Sequence, residues 1–127
     1  MRPVEAYDET FTVEGQAQGQ TPGQVTLIDW TLTPGQDIAE AFEQSRRNLF
    51  ELHRLHNPGF LRCRLLRYLG APGRYLVVVA STGRETMLQA FRHPEIQRYV
   101  QDHGIARYAP AAPVVEVFEP VRVAVPA

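Results

Sequence analysis

The sequence of 127 residues predicts one α+β domain with the element order β-α-β-β-α-β. Three observations carry this prediction. Short segments rich in β-branched residues end at turns that contain proline or glycine, as strands do. Two longer segments place apolar residues three and four positions apart, which is the spacing of a helix with one buried face. A four-residue turn at 70–73 joins two further strand-like segments into a hairpin.

The first strand is predicted at residues 25–32, and the first helix at 37–55. Both faces of the strand carry apolar side chains. Asp37 suits an N-cap or a first-turn acid, and Pro58 stops the helix because proline disfavours helical geometry in the residue before it. Arg46 is expected outside the buried stripe. The stripe consists of Ile38, Ala41, Phe42, Ser45, Leu49, Leu52 and His56.

The hairpin strands are predicted at 60–69 and 74–81. The second of them is apolar at every position from 75 to 80, so both of its faces are expected to be buried. A second helix is predicted at 84–103, with a break or a kink at Pro94. The last strand is predicted at 114–118.

The N-terminal region of residues 1–23 reads as an extension before a domain at 24–121, and residues 122–127 read as a C-terminal arm. Within the extension, residues 9–14 alternate like a short strand and residues 15–24 read as a loop rich in glycine and glutamine. The element order predicts a ferredoxin-like, four-stranded antiparallel sheet with two helices on one face. Because the strands are apolar on both faces, we expect a homodimer whose sheets pack face to face over more than about 2,000 Å².

Several of these segments together resemble the antibiotic-biosynthesis monooxygenase family. The resemblance covers about residues 24–121. It rests on the strand at 25–32 with its Pro34-Gly35 turn, on the sequence at 58–61 that opens the hairpin, and on residues 86–91 followed by His93 and Pro94. The resemblance implies a dimeric α+β barrel. It also implies activities found in that family, which includes cofactor-free oxygenases of quinols or anthrones and enzymes that degrade haem.

Composition excludes several other classes of function. Thirteen basic residues against fourteen acidic ones give a net charge of −1, which offers no overall attraction to nucleic acid or to anionic membranes. Apolar runs are far shorter than a membrane span, and the single cysteine, Cys63, cannot form an internal disulfide. We therefore expect a cytoplasmic protein. His53 and His56 lie three apart on the first helix, but no further ligands accompany them, and we expect no metal and no cofactor.

The candidate site is a mainly apolar pocket between the sheet and the helices that accepts a planar aromatic ligand. Histidine titrates near neutrality, so a histidine is the expected general base. The predicted catalytic residues are His56 and His103. The predicted substrate-binding residues are Trp30, Phe42, Tyr75, Phe91 and Tyr99.

Two other interpretations use the same pocket. A dimer that binds a small apolar ligand without chemistry needs no base, and a haem protein needs one histidine as an axial ligand. Asp29 lies mid-strand among apolar residues, where a buried carboxylate is costly unless it is paired. We expect a pair with Arg62 or Arg64 on a neighbouring strand, the alternative being a base with a raised pKa.

Overall fold

The computed structural model describes residues 7–119. The strands are β1 (Tyr7–Glu14), β2 (Gln24–Thr31), β3 (Phe60–Tyr68), β4 (Arg74–Ser81) and β5 (Val114–Phe118). The helices are α1 (Gln36–His56), α2 (Arg84–Arg92) and α3 (Pro94–Asp102), and a 3-10 turn follows at Ile105–Arg107. Within these residues, no helix combines the length and the apolar character that a membrane span requires.

The sheet is antiparallel, with the strand order β1-β3-β4-β2-β5. Its last four strands have the ferredoxin-like order that the sequence predicts. The prediction of four strands is wrong, because β1 adds a fifth strand at the edge beside β3. Phe11 and Val13 of β1 are buried in the core, while the alternate residues Thr12 and Glu14 face solvent. The short strand indicated at 9–14 is confirmed and begins two residues earlier.

The second predicted helix is two helices. The break falls at His93, whose backbone is extended and whose side chain accepts a hydrogen bond from the Glu95 backbone N–H at 3.2 Å. Pro94 occupies the first turn of α3. A backbone N–H at this position has no acceptor within the helix, so proline costs the helix no hydrogen bond. The predicted interruption at Pro94 is therefore confirmed as a break, which turns α3 over the mouth of the space between α1 and the sheet.

One face of the sheet packs against the helices and forms the main core. Phe42 of α1 is fully buried there, with its ring centroid 5.1 Å from those of both Trp30 and Tyr75. On the opposite face, the loop after β1 covers only one end, where Ala17 packs with Leu61 and Ala80. The rest of that face, including Leu76 and Val78, is only partly buried. In the single chain, β4 therefore alternates between buried and half-buried positions, in contrast to the expected burial of both faces.

Candidate functional site

A cavity of about 800 Å³ lies between the sheet and the helices. Helix α1 forms one wall, strands β2, β4 and β5 form the floor, and helices α2 and α3 contribute the rim. Most of the lining is aliphatic or aromatic, as is typical of sites for small organic ligands. The apolar lining includes Ile28, Leu49, Phe50, Val77, Val79, Met87, Leu88, Phe91, Val100, Val115 and Val117.

Four residues of helix α1 line this cavity. Arg46, Leu49, Phe50 and His53 stand at positions i, i+3, i+4 and i+7, which share one helical face. A rise of 1.5 Å per residue separates the first from the last by roughly 10 Å along the helix. The helix therefore places one polar group at each end of an apolar stretch.

Arg46 is a buried cation without a counter-charge among the described residues. It is only 9% exposed, and its guanidinium carbon lies 5.4 Å from the centre of the Trp30 ring and 5.5 Å from that of Phe42. Its Nε donates a hydrogen bond of 3.3 Å to the Ser45 hydroxyl, and none of the ion pairs found within residues 7–119 includes it. Burial lowers the pKa of Arg46, but a guanidinium stays protonated in proteins. Its charge is thus available to a ligand.

His53 is the second polar group, and it is fully buried. The Gly59 backbone N–H donates to the Asn57 side-chain oxygen at 3.1 Å, which points the amide N–H₂ of Asn57 toward His53 Nδ1 at 3.5 Å and toward the Met87 sulfur at 3.4 Å. This orientation fits the neutral tautomer that carries its proton on Nε2. Burial lowers the pKa of His53 to about 4, so the ring is neutral at physiological pH.

Three cavity-lining side chains each bury a polar atom that finds no hydrogen-bond partner within residues 7–119. These atoms are Nε2 of His53, Nε1 of Trp30 and Oε1 of Gln24. A buried polar atom without a partner costs about 1–3 kcal/mol, and native proteins keep few of them. Two of the three are N–H donors, and the guanidinium adds more donors. Most of the unpartnered groups are therefore donors that suit hydrogen-bond acceptors, while Gln24 adds one acceptor.

Solved structures share this architecture. A proposed antibiotic biosynthesis monooxygenase from Caulobacter crescentus CB15 superimposes with a TM-score of 0.64 at 20% identity, over 80% of this chain and 92% of that one. SnoaB, a cofactor-independent oxygenase from Streptomyces nogalater, gives 0.61 at 20% identity, over 83% and 99%. LmHde, a heme-degrading enzyme from Listeria monocytogenes, gives 0.58 at 12% identity, over 89% and 69%. No protein-family model and no curated protein matches the sequence.

The chain has the ferredoxin-like fold of the antibiotic biosynthesis monooxygenase-like proteins. Identities of 20% or less show the fold and leave the chemistry to the site itself.

On this ferredoxin-like fold, the predicted site residues lie in four different surroundings. Trp30, Phe91 and His103 line the cavity. Phe42 and Tyr75 lie beneath it in the core, where the Tyr75 hydroxyl donates to Glu43 at 2.7 Å. Burial, together with this hydrogen bond, raises the pKa of Tyr75.

His103 and Tyr99 also border a shallower hollow of about 440 Å³ beside α1. Their rings stack with centroids 4.1 Å apart, and His103 Nδ1 lies 2.9 Å from the Tyr108 hydroxyl. Burial raises the pKa of Tyr99. His103 therefore stands between the hollow and the cavity, with one ring nitrogen held by a phenol.

His56 lies outside the cavity, at the last residue of α1. Its ring stacks on that of His93 at 3.9 Å, and its Nε2 lies 3.2 Å from a carboxylate oxygen of Glu95. These contacts join α1 to the start of α3. His56 therefore has a structural position. Within residues 7–119, no group of three or more His, Cys, Asp or Glu residues is arranged to hold a metal ion.

Two residues that line the cavity, Arg46 and His53, are not among the site residues predicted from the sequence. The buried stripe predicted for α1 excludes Arg46, and the sequence suggests His53 as a metal ligand or as a boundary histidine near the end of the helix. The seven-residue spacing between them, with Leu49 and Phe50 in between, is the signal that could have placed both on one face.

The expected partner of Asp29 was also wrong. Its carboxylate binds Arg74 through two hydrogen bonds of 2.8 and 3.2 Å, on the sheet face away from the cavity. The register explains the choice, because Arg74 lies opposite Thr31, a same-face neighbour of Asp29. Arg64 instead pairs with Glu9 of β1 at 2.7 Å, and β1 was not counted in the predicted sheet. Asp29 is thus a paired structural carboxylate.

Proposed function

We propose that this protein is a monooxygenase that needs no resident cofactor and acts on an electron-rich planar aromatic, such as a hydroquinone or an anthrone. One observation carries the proposal. An apolar cavity of about 800 Å³ holds the buried, unpaired guanidinium of Arg46 and the unpaired N–H donors of Trp30 and His53. Such a site favours the deprotonated form of a phenol or an anthrone, which is the form that gives an electron to oxygen.

The proposed reaction assigns a different task to each group. His103 takes the acidic proton of the substrate, and the buried N–H donors of the cavity stabilise the anion that forms. With an anthrone, the reactive CH₂ carbon becomes a carbonyl whose oxygen comes from O₂, and the second oxygen atom leaves as water. The aliphatic walls, including Leu49, Val77 and Val79, exclude bulk water from the reactive anion.

His53 does not serve as the base in this scheme. A pKa of about 4 makes its ring a poor proton acceptor at neutral pH, and its Nε2–H is a hydrogen-bond donor instead. Its role is to hold a substrate oxygen at the far end of the cavity from Arg46.

Haem needs a free lone pair on a histidine nitrogen for axial ligation. The contact with Asn57 favours the tautomer of His53 that carries its proton on Nε2, which makes His53 a poor axial ligand. His103 keeps a lone pair on Nε2 when its Nδ1 donates to the Tyr108 oxygen, and the proposed reaction uses that lone pair as the base. We therefore derive no step through haem for this chain.

The test is oxygen uptake by metal-free protein with anthrone and a set of hydroquinones, with the product analysed by mass after reaction under ¹⁸O₂. We expect one ¹⁸O atom in the anthraquinone product. His103→Ala should lower kcat/KM at least about tenfold, equivalent to roughly 1.4 kcal/mol of transition-state stabilisation. His56→Ala is the matched control and should stay within about twofold of the parent.

Binding of anthrone without oxygen uptake would replace the enzyme proposal by the ligand-binding alternative. An equal loss of activity in His103→Ala and His56→Ala would remove His103 from its role as the base.

A further inference from the structure

At the end of the cavity that Arg46 occupies, two groups that donate hydrogen bonds lie side by side. The guanidinium lies against the Trp30 ring, and Trp30 Nε1 is itself a buried donor without a partner among the described residues. Two other charged residues line the cavity, Arg84 and Glu119, and both are exposed at its rim. Glu119 forms no ion pair with Arg46 within residues 7–119.

A buried guanidinium costs free energy unless an anion meets it. Within the described residues its hydrogen-bonding contact is with the Ser45 hydroxyl, which is a neutral group. The forked donors of arginine match the two oxygens of a carboxylate, and such charge-assisted bonds are stronger than bonds between neutral groups. The protein therefore keeps at this end a strong site for an acidic oxygen group.

The opposite end of the cavity has a different character. His53 is neutral, and its Nε2–H offers one donor to one neutral acceptor. Roughly 10 Å of helix separates it from Arg46, with Leu49 and Phe50 between them. Three fused aromatic rings with a substituent at one end span a distance of this order.

We propose that the natural substrate is an aromatic carboxylate, a planar polycycle whose acid group pairs with Arg46 and whose carbonyl or hydroxyl oxygen, on a ring beyond the acid-bearing one, accepts from His53. This inference rests on the proposed function and narrows its substrate class. It predicts discrimination by charge at one end and by hydrogen bonding at the other, within the same apolar slot.

Trp30 makes the inference directly measurable. It is the single tryptophan of the chain and lines the cavity, so quenching of tryptophan fluorescence reports on this site. The first probes are anthraquinone-2-carboxylate and its methyl ester, with quenching corrected against free tryptophan amide. We expect the carboxylate to bind at least tenfold more tightly than the ester, which corresponds to about 1.4 kcal/mol.

The variant Arg46→Gln should abolish this preference, so that acid and ester bind alike. Arg47→Gln is the matched control, because Arg47 is the next residue of α1, is exposed, and lies over the Phe11 ring away from the cavity. It should keep the full preference of the parent protein.

The His53 end has its own pair of probes. Anthracene-2-carboxylate lacks the carbonyl oxygens of anthraquinone-2-carboxylate. We expect His53→Phe to weaken binding of the anthraquinone acid at least fivefold and to leave the anthracene acid within about twofold.

The comparison of acid and ester in the parent protein requires no variant, so it holds even if a substitution prevents folding. Equal affinity for the acid and its ester would overturn the inference and leave the proposed function standing. Failure of both probes to quench Trp30 would count against the proposed function itself.

Discussion

At the scale of the residue, the cavity combines a cost to stability with a benefit to binding. Among the described residues, Arg46 buries a charge that meets only the neutral Ser45 hydroxyl, and His53 buries its Nε2 without a hydrogen-bond partner. Residues of this kind persist in folded proteins chiefly where function requires them. Removing them should therefore affect stability and ligand binding in opposite directions.

Arg46→Met is predicted to stabilise the ligand-free protein while it weakens substrate binding. Methionine keeps the length of the side chain and removes a charge that burial makes costly, an exchange that often raises the free energy of unfolding by about 1 kcal/mol or more. Urea denaturation monitored by circular dichroism measures the change. Arg47→Met, at the exposed neighbouring position, should change the free energy of unfolding by less than about 0.5 kcal/mol. Destabilisation of Arg46→Met by more than 1 kcal/mol would contradict the prediction.

His53 predicts a dependence of stability on pH. Its pKa is about 4 in the folded protein and near 6.5 when unfolded, so between these values the unfolded chain binds more protons. The contribution of His53 to the free energy of unfolding is fully present above pH 6.5. It is lost as the pH falls toward 4, by about 3 kcal/mol in total. Urea titrations at pH 7 and pH 4.5 should show this loss in the parent protein and a smaller one in His53→Phe. Identical losses in the two proteins would show that other groups cause the pH dependence.

At the scale of the element, the sequence allowed the four ferredoxin-like strands, the long first helix and the break at Pro94 to be predicted. These elements have strong local signals, such as β-branched runs, helical spacing and proline. Strand β1 was recognised as a segment but left out of the sheet, because local alternation does not reveal which edge a strand joins. Arg46 was misplaced for a related reason. Its burial depends on α3 and β2 enclosing α1 from two sides, which widens the buried face of the helix beyond one stripe.

The contribution of β1 to the fold can be measured with a core substitution. Phe11→Ala removes a side chain that is 7% exposed and belongs to the main core, so we expect it to lower the free energy of unfolding by about 3 kcal/mol. Thr12→Ala is the control at the adjacent exposed position, and its effect should stay below about 0.5 kcal/mol. Equal, small effects of the two substitutions in urea denaturation would mean that β1 adds little to the core.

At the scale of the whole molecule, a single chain leaves apolar side chains partly exposed on the face of the sheet away from the helices. The half-buried side chains Leu27, Leu76 and Val78 form its centre, and Val25 packs at the end that the loop covers. Phe118 of β5, 48% exposed, lies on the same face opposite Val25. The loop that carries Ala17 covers only the end near Leu61 and Ala80. A contiguous apolar surface of this kind marks a contact site in a folded protein.

We propose that a second copy of the chain covers this face, so that the two sheets pack together about a two-fold axis. In such a contact the same patch serves both partners, and a charge at its centre is buried twice without a counter-ion. Leu27→Glu should therefore convert a dimer of twice 14.4 kDa into a monomer or prevent folding, as light scattering at micromolar concentration would show. Leu55→Glu, at a 59% exposed leucine of α1 outside this face, should remain dimeric. A parent protein that is well folded and monomeric at 14.4 kDa would refute the dimer whatever the variants do, since its apolar face would then be stable in water.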